Sequence, residues 1–329
     1  MTTFLCVDCD TVVSSPVAEV ALPAHALRCK LGNGIRNMPS LMAAGTYAVD
    51  PEPAGPPWRK WSEVGAELAA ARGVFAPVPV VSFGLPGKIV LAPGDAVGTV
   101  LIPERHSGYC CGLDGGDGPN LACAGCGRPV GTRIDDCSLW QAVWLEPDAV
   151  RRVPGDLPAP VREFADQHGE LAAASGVVLA HLLVASEGGP VKVQDGAIAD
   201  IFRRALDGLL PVGGPAKTVA LAGPGLPDPE ADIWLAPRDF PSTARTIALP
   251  DEVWRHLAFP KTWPPIPATG GFPDGVLRDD PPPAPRWPDV RVDREVFLHT
   301  LARLPAVRQP WLRDIYDRVS ADWHTLRYS

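Results

Sequence analysis

Apolar residues in the first half of the chain come in short runs. Residues 3–6, 78–83, 88–92, 97–102, 130–134 and 139–145 have strand length and are separated by Pro and Gly turns, which predicts a mainly β region. Residues 12–22 are also apolar and β-branched, interrupted by Ser14-Ser15-Pro16. One helix is expected over 58–72, with Ser62 as its cap. After Pro154 the period changes. Leu157, Val161, Phe164, His168, Leu171, Ser175, Val178 and Leu182 recur at helical spacing. Asp195 precedes a second apolar stripe, Ile198, Ile201, Phe202, Ala205, Leu206 and Leu209. Strands are predicted at 218–222, 232–236 and 243–249, and a helix at 251–259. Two closing helices follow, with Val296, Phe297 and Leu301 inward on one and Leu312, Ile315 and Val319 on the other.

The pattern predicts an α+β protein. A β-rich domain covers 1–150, and a mixed α/β domain ending in two helices covers 151–329. Residues 260–290 hold ten prolines and read as an extended wrap or linker.

Composition adjusts this picture little. Apolar residues are 46% and charged residues 21% of the chain, a globular balance. The 39 prolines and 32 glycines explain the short elements. Net charge is −8, with acidic residues in excess in both halves. That argues against a nucleic-acid partner, which needs clustered Lys and Arg. The N-terminal residues lack the basic start and apolar run of a secretion signal, and the most apolar stretch, 176–185, is too short to span a bilayer. The expectation is a cytoplasmic protein acting away from membranes, where cysteines serve as thiols or metal ligands.

Of the eight cysteines, four form two C-x-x-C pairs, Cys6/Cys9 and Cys123/Cys126, the second followed by Gly127. A two-residue gap lets a tight turn present both sulfurs on one side, with backbone amides facing the thiolates. Gly after the second Cys suits a left-handed backbone. Two such knuckles make a closed tetrahedral site, so the expected cofactor is one structural zinc ion in a zinc-ribbon-like arrangement. The knuckles are far apart in sequence, and a rival grouping is local: Cys110 or Cys111 with Cys123, Cys126 and Cys137. If the knuckles meet, the first strand is expected beside the 119–134 hairpin, with residues 10–118 looping out between.

The N-terminal C-x-x-C, the run G-T-Y-A-V-D-P-E-P at 45–53 and the run C-A-G-C-G…D-D-C-S-L-W-Q at 123–141 resemble uncharacterised proteins of Streptomyces and related actinobacteria. The resemblance is clear over about residues 1–150. It implies a bacterial cytoplasmic setting and no assigned activity.

Other candidate chemistry has simpler explanations. His106, beside Glu104 and Arg105, and the segment between Asp114 and Asp136 are where an enzyme site would lie, but surface placement and turn formation account for them. Asp135 and Asp136 would raise the Cys137 thiol pKa, which argues against a nucleophile. A His25–Cys29 dyad is the remaining thiol candidate. Residues 213–218 fail as a phosphate loop, because Gly does not directly precede Lys217 and Pro215 removes an amide. Trp58-Arg59-Lys60-Trp61 is the one aromatic–basic cluster; amphipathic packing against the β domain is the favoured reading, with base stacking or a partner peptide as the functional alternatives. The function expected is non-catalytic protein binding or scaffolding around structural zinc. A nucleic-acid-binding zinc protein and an enzyme near His106 are the rivals.

Overall fold

The computed structural model describes residues 1–27, 40–106, 108, 112–137, 139–155, 167–227, 229–241, 246–259 and 292–321. Cys29, Cys110, Cys111, the Pro-rich segment 260–290 and the helical stripe before residue 167 lie outside them. The fold is α+β. The chain divides into two compact units, Met1–Ala165 with His299–Arg308, and Asp166–Leu298 with Gln309–Ser329.

In chain order the first unit contains β1 (Thr2–Cys6), β2 (Ala18–Glu19), β3 (Thr46–Asp50), β4 (Trp58–Lys60), α1 (Trp61–Ala71), β5 (Val80–Ser82), β6 (Lys88–Leu91), β7 (Thr99–Leu101), β8 (Leu121–Cys123), β9 (Pro129–Ile134), β10 (Ala142–Leu145) and β11 (Val150–Pro154). Seven of these strands form one sheet in the order β2-β3-β6-β10-β9-β8-β7. β6 is buried along its whole length because both sheet faces are covered. On one face Tyr47, Leu91, Leu121, Cys123, Val130, Val143 and Leu145 pack against Phe4, Cys6, Val13, Val17 and Val150. On the other, Ala48, Val90, Ala92 and Ala142 pack against Leu41 and Met42.

β1 and β11 form a separate antiparallel pair, Thr2 opposite Pro154 and Cys6 opposite Val150. The alternation of β1 places Thr2, Phe4 and Cys6 in the core. Two expectations change here. The first strand pairs with β11, not with the 119–134 hairpin, and residues 10–118 supply four strands of the main sheet rather than an excursion from it. Trp58–Lys60 is a strand, not helix, because it pairs with β5, so α1 begins at Trp61 and its cap is Lys60, not Ser62.

The second unit contains α2 (Gln167–Ser186), β12 (Val191–Val193), α3 (Ala197–Leu209), β13 (Lys217–Leu221), β14 (Ile233–Pro237), β15 (Thr246–Leu249), α4 (Asp251–Ala258), α5 (Arg294–Arg303) and α6 (Pro310–Ala321). α5 runs on into the residues of the first unit at His299. The four strands make a parallel sheet in sequential order. α2 is apolar nearly all round and is accordingly buried, whereas α3 buries one stripe. The expected Asp195 cap is not made. Gly196 occupies that position, and Asp195 pairs with Arg203 instead. Gly176 lets α5 approach α2, since a Cβ there would stand 2.6 Å from the Asp293 carbonyl oxygen. Arg294 donates to the Val319 and Ser320 carbonyls and closes the end of α6. No helix among the described residues is long and apolar enough to cross a membrane.

Candidate metal centre

The two knuckles are one hairpin used twice. The Cys6 amide donates to the Thr11 carbonyl at 2.9 Å, and the Cys123 amide donates to that of Arg128 at 2.7 Å. The Asp10 amide returns to the Cys6 carbonyl at 3.0 Å, and the Gly127 amide to that of Cys123 at 2.8 Å. The turn requires a left-handed residue after the second cysteine, and both knuckles have one: Asp10 at φ 58° and Gly127 at φ 77°. Backbone amides two residues beyond the second cysteine, Thr11 and Arg128, reach Cys9 and Cys126. In each knuckle the first cysteine is buried at a strand end and the second is exposed.

These elements bring Cys6, Cys9, Cys123 and Cys126 together, with ligand atoms within 4.8 Å of one another. Cys6 Sγ lies 3.7 Å from Cys126 Sγ, and Cys9 Sγ 3.5 Å from Cys123 Sγ. Four sulfurs about 2.3 Å from a central ion stand about 3.8 Å apart, so the described spacing fits a tetrahedral metal site. The four cysteines could hold one metal ion. Among the described residues this is the only group of three or more Cys, His, Asp or Glu side chains close enough to do so.

Close approach of the hairpins depends on residues without side chains. A Cβ on Gly125 would stand 2.3 Å from Thr11 Oγ1 and 3.3 Å from Cys9 Sγ. Gly98, at φ 56°, passes so near the Val12 carbonyl that a Cβ would stand 2.2 Å from its oxygen, and the Gly98 carbonyl accepts the Ala124 amide. Arg128 joins the knuckles by donating to Asp8 at 2.7 Å, and Arg151 holds Asp10 at 2.8 Å. Both pairs are exposed and add little stability.

The sulfurs share protons unequally. Hydrogen bonds from the Thr11 side chain and amide pull the Cys9 thiol down to about 6. At Cys126 the Arg128 amide acts in the same direction. Hydrogen bonding to Cys9, desolvation and the other two sulfurs outweigh it and push the thiol up to about 12. A shared dication removes that conflict, because every sulfur can then serve as a thiolate.

The rival local grouping does not assemble among the described residues, since Cys137 lies outside the four-sulfur cluster. His106 is exposed, with Nδ1 against the Pro103 carbonyl. Asp114 accepts the Gly116 amide, a turn contact, while Asp136 is buried and accepts the Gly112 amide. Asn120 braces β9 through both its side-chain oxygen and nitrogen, exchanged with the Arg133 backbone.

A second polar centre escaped the sequence reading. Asp50 stands opposite Lys88 across β3 and β6. Lys88 pairs at 2.8 Å with Glu146, and the three residues are 8%, 3% and 8% exposed. Two residues on, Glu52 takes His299 at 3.1 Å and Arg303 at 2.5 Å. Burial pushes the Asp50 carboxyl up to about 6 and holds His299 below its usual range. Glu52 resists its own desolvation because His299 and Arg303 hold it below the ordinary carboxylate range. Asp50 and Glu52 lie in the G-T-Y-A-V-D-P-E-P run, where their flanking prolines were the only hint. Nothing local joins them to His299, 247 positions away. Lys88 pairs with Glu146 and Arg303 with Glu52, so the centre is a brace of two ion pairs with the raised Asp50 carboxyl beside them. No family model, curated protein or solved structure matches the chain.

Proposed function

We propose that the four cysteines bind one structural zinc ion and that the chain acts as a non-catalytic protein-binding or scaffolding module. The supporting observation is the pair of matched hairpins that sets four sulfurs at tetrahedral spacing. Four protein thiolates fill a tetrahedral zinc ion and leave no position for substrate or water, so the ion organises structure. Zinc is favoured over harder cations because the donors are all thiolates. A reducing, cytoplasmic setting matches a chain whose described cysteines are all free thiols. The acidic balance of the chain favours protein over nucleic acid as partner.

Metal analysis of the purified chain tests the first half, with about one zinc per chain expected. Cys6→Ser and Cys123→Ser should each lose most of it, and Cys137→Ser should lose none. Full zinc in either knuckle variant would overturn the assignment. Affinity capture from the native cell tests the second half. A reproducible protein partner is expected, and an empty capture would overturn the protein-binding reading.

A further inference from the structure

Each knuckle carries one buried and one exposed sulfur, Cys6 with Cys9 and Cys123 with Cys126. Two sulfur contacts cross between the hairpins: Cys9 Sγ to Cys123 Sγ at 3.5 Å, and Cys6 Sγ to Cys126 Sγ at 3.7 Å. Each contact therefore joins an exposed sulfur of one hairpin to a buried sulfur of the other.

That arrangement divides the work of thiol oxidation. An oxidant in solution reaches Cys9 and Cys126, and a buried partner stands behind each. Exposure decides which sulfur is oxidised first, and a neighbouring thiol captures the sulfenic acid as a disulfide before it oxidises further. Sulfurs in a disulfide are about 2.05 Å apart, so each contact has only about 1.5 Å to close. The strand ends make the pairing matter. Cys6 ends β1 and Cys123 ends β8, so disulfides across the hairpins keep those strands tied, whereas disulfides within the knuckles would part them.

We propose that the four-cysteine site is a redox switch, in which a hydroperoxide converts the two contacts into the disulfides Cys9–Cys123 and Cys6–Cys126, the metal ion leaves, and the hairpins stay joined by covalent bonds. The proposal goes beyond the structural-zinc reading and rests on it for the ion, while the sulfur pairing rests on geometry alone. The Cys9 thiolate attacks one oxygen of hydrogen peroxide. An S–O bond forms, the O–O bond breaks, and the departing hydroxide takes a proton to become water. The Cys123 thiolate then attacks the Cys9 sulfur. An S–S bond forms, the S–O bond breaks, and a second hydroxide leaves and is protonated to water. The sulfur pair has lost two electrons, and the peroxide has gained them. Cys126 and Cys6 consume a second peroxide in the same way. The thiolate is the metal ligand, so the ion then has no donors left.

The test treats the zinc-loaded full chain with excess hydrogen peroxide, follows released metal with a colorimetric chelator, and maps disulfides by mass spectrometry after alkylation. Release of about one zinc per chain is expected, with peptides joining Cys9 to Cys123 and Cys6 to Cys126. Dithiothreitol should restore the thiols and zinc uptake. The oxidised chain should melt above the reduced chain stripped by chelator, because only the oxidised one keeps its hairpins tied. Cys137→Ser should give the same release and the same two disulfides. Disulfides within the knuckles, Cys9 driven to sulfonic acid instead of a disulfide, zinc retained in full, or an oxidised chain that melts no higher than the stripped one would each overturn the proposal. A purified chain without zinc overturns the structural-zinc reading instead. Oxidised as it stands, that chain still reports the pairing: disulfides across the hairpins uphold it, and disulfides within the knuckles overturn it.

Discussion

Replacing Asp50 with Asn measures how far burial governs the charged brace of the first unit. Desolvation raises the Asp50 carboxyl from 3.8 to about 6, with the neighbouring Glu52 charge adding to it. At about 1.4 kcal/mol per pKa unit, the ionised group costs the folded state about 3 kcal/mol. The folded pKa is raised, so the stabilisation is present below 3.8 and is lost as pH climbs through about 6. Asn carries no charge and keeps an oxygen for the Glu52 amide that Asp50 now accepts at 2.9 Å. The variant should therefore exceed wild type in stability by about 0.5 kcal/mol at pH 4, rising to about 3 kcal/mol at pH 8. Glu52, whose pKa is lowered, loses its contribution on acidification, and thiolate ligands protonate in the same direction. The thiolate effect occurs in either chain and cancels in the difference, and the Glu52 effect cancels apart from its charge contact with Asp50. Urea melts of the two proteins at matched pH give that difference directly. A gap that stays flat with pH, or an Asn variant less stable at pH 8, would refute the assignment of a buried, raised carboxyl.

Three further substitutions probe the placement of charge and backbone. Gly125→Ala should reduce zinc affinity about tenfold or more in chelator competition, because its Cβ would meet Thr11 Oγ1 at 2.3 Å, and Thr11→Ala in the same chain should restore part of the loss. Unchanged affinity would show that the hairpins do not close as placed. Asp10→Gly should raise stability by about 0.5 kcal/mol in urea melts, since relief of a left-handed non-glycine residue exceeds the exposed Arg151 pair it gives up. Lys88→Ala should cost about 3–5 kcal/mol by leaving Glu146 buried without its cation, while Lys88→Met with Glu146→Leu should recover most of that in the same melts.

The four-cysteine cluster was legible because its chemistry is local. A C-x-x-C pair carries its own turn, and Gly127 announced the left-handed position in the second knuckle. In the first knuckle Asp10 takes that position, a tolerance of short polar residues that spacing alone does not reveal. Strand content was legible from apolar runs, but pairing was not. β11 has Arg151 and Arg152 at its centre and an exposed face, so it lacks the apolar signature, and its place beside β1 comes from tertiary packing. The same holds for Trp58–Lys60, where an aromatic–basic sequence consistent with a helix start is drawn into a strand by β5. The Asp50 centre was hidden for a related reason. Its six side chains come from β3, the loop after it, β6, the residue after β10, and α5, and no window of sequence contains more than two of them.

What would a metal do at this point of the fold? β1 and β11 lie on the main sheet but share no ladder with it; Thr2 exchanges backbone bonds with Val17, just before β2, and the layers also meet through side chains such as Phe4 and Tyr47, whose rings cross edge to face at 5.1 Å. Side-chain contact fixes the separation of two layers better than it fixes sliding within their plane. Cys6 ends β1 in the small sheet, and Cys123 ends β8 next to the edge of the large one. An ion bound to both knuckles would therefore tie β1 to β8 at the end of β1 opposite its Thr2–Val17 bridge. It would also close a loop of more than a hundred residues, the length at which a crosslink restricts the unfolded chain by about 4–5 kcal/mol. That position accounts for the repeated hairpin. A four-sulfur site joining two layers needs each layer to present its pair from a rigid turn, and the same turn, used twice, supplies both halves.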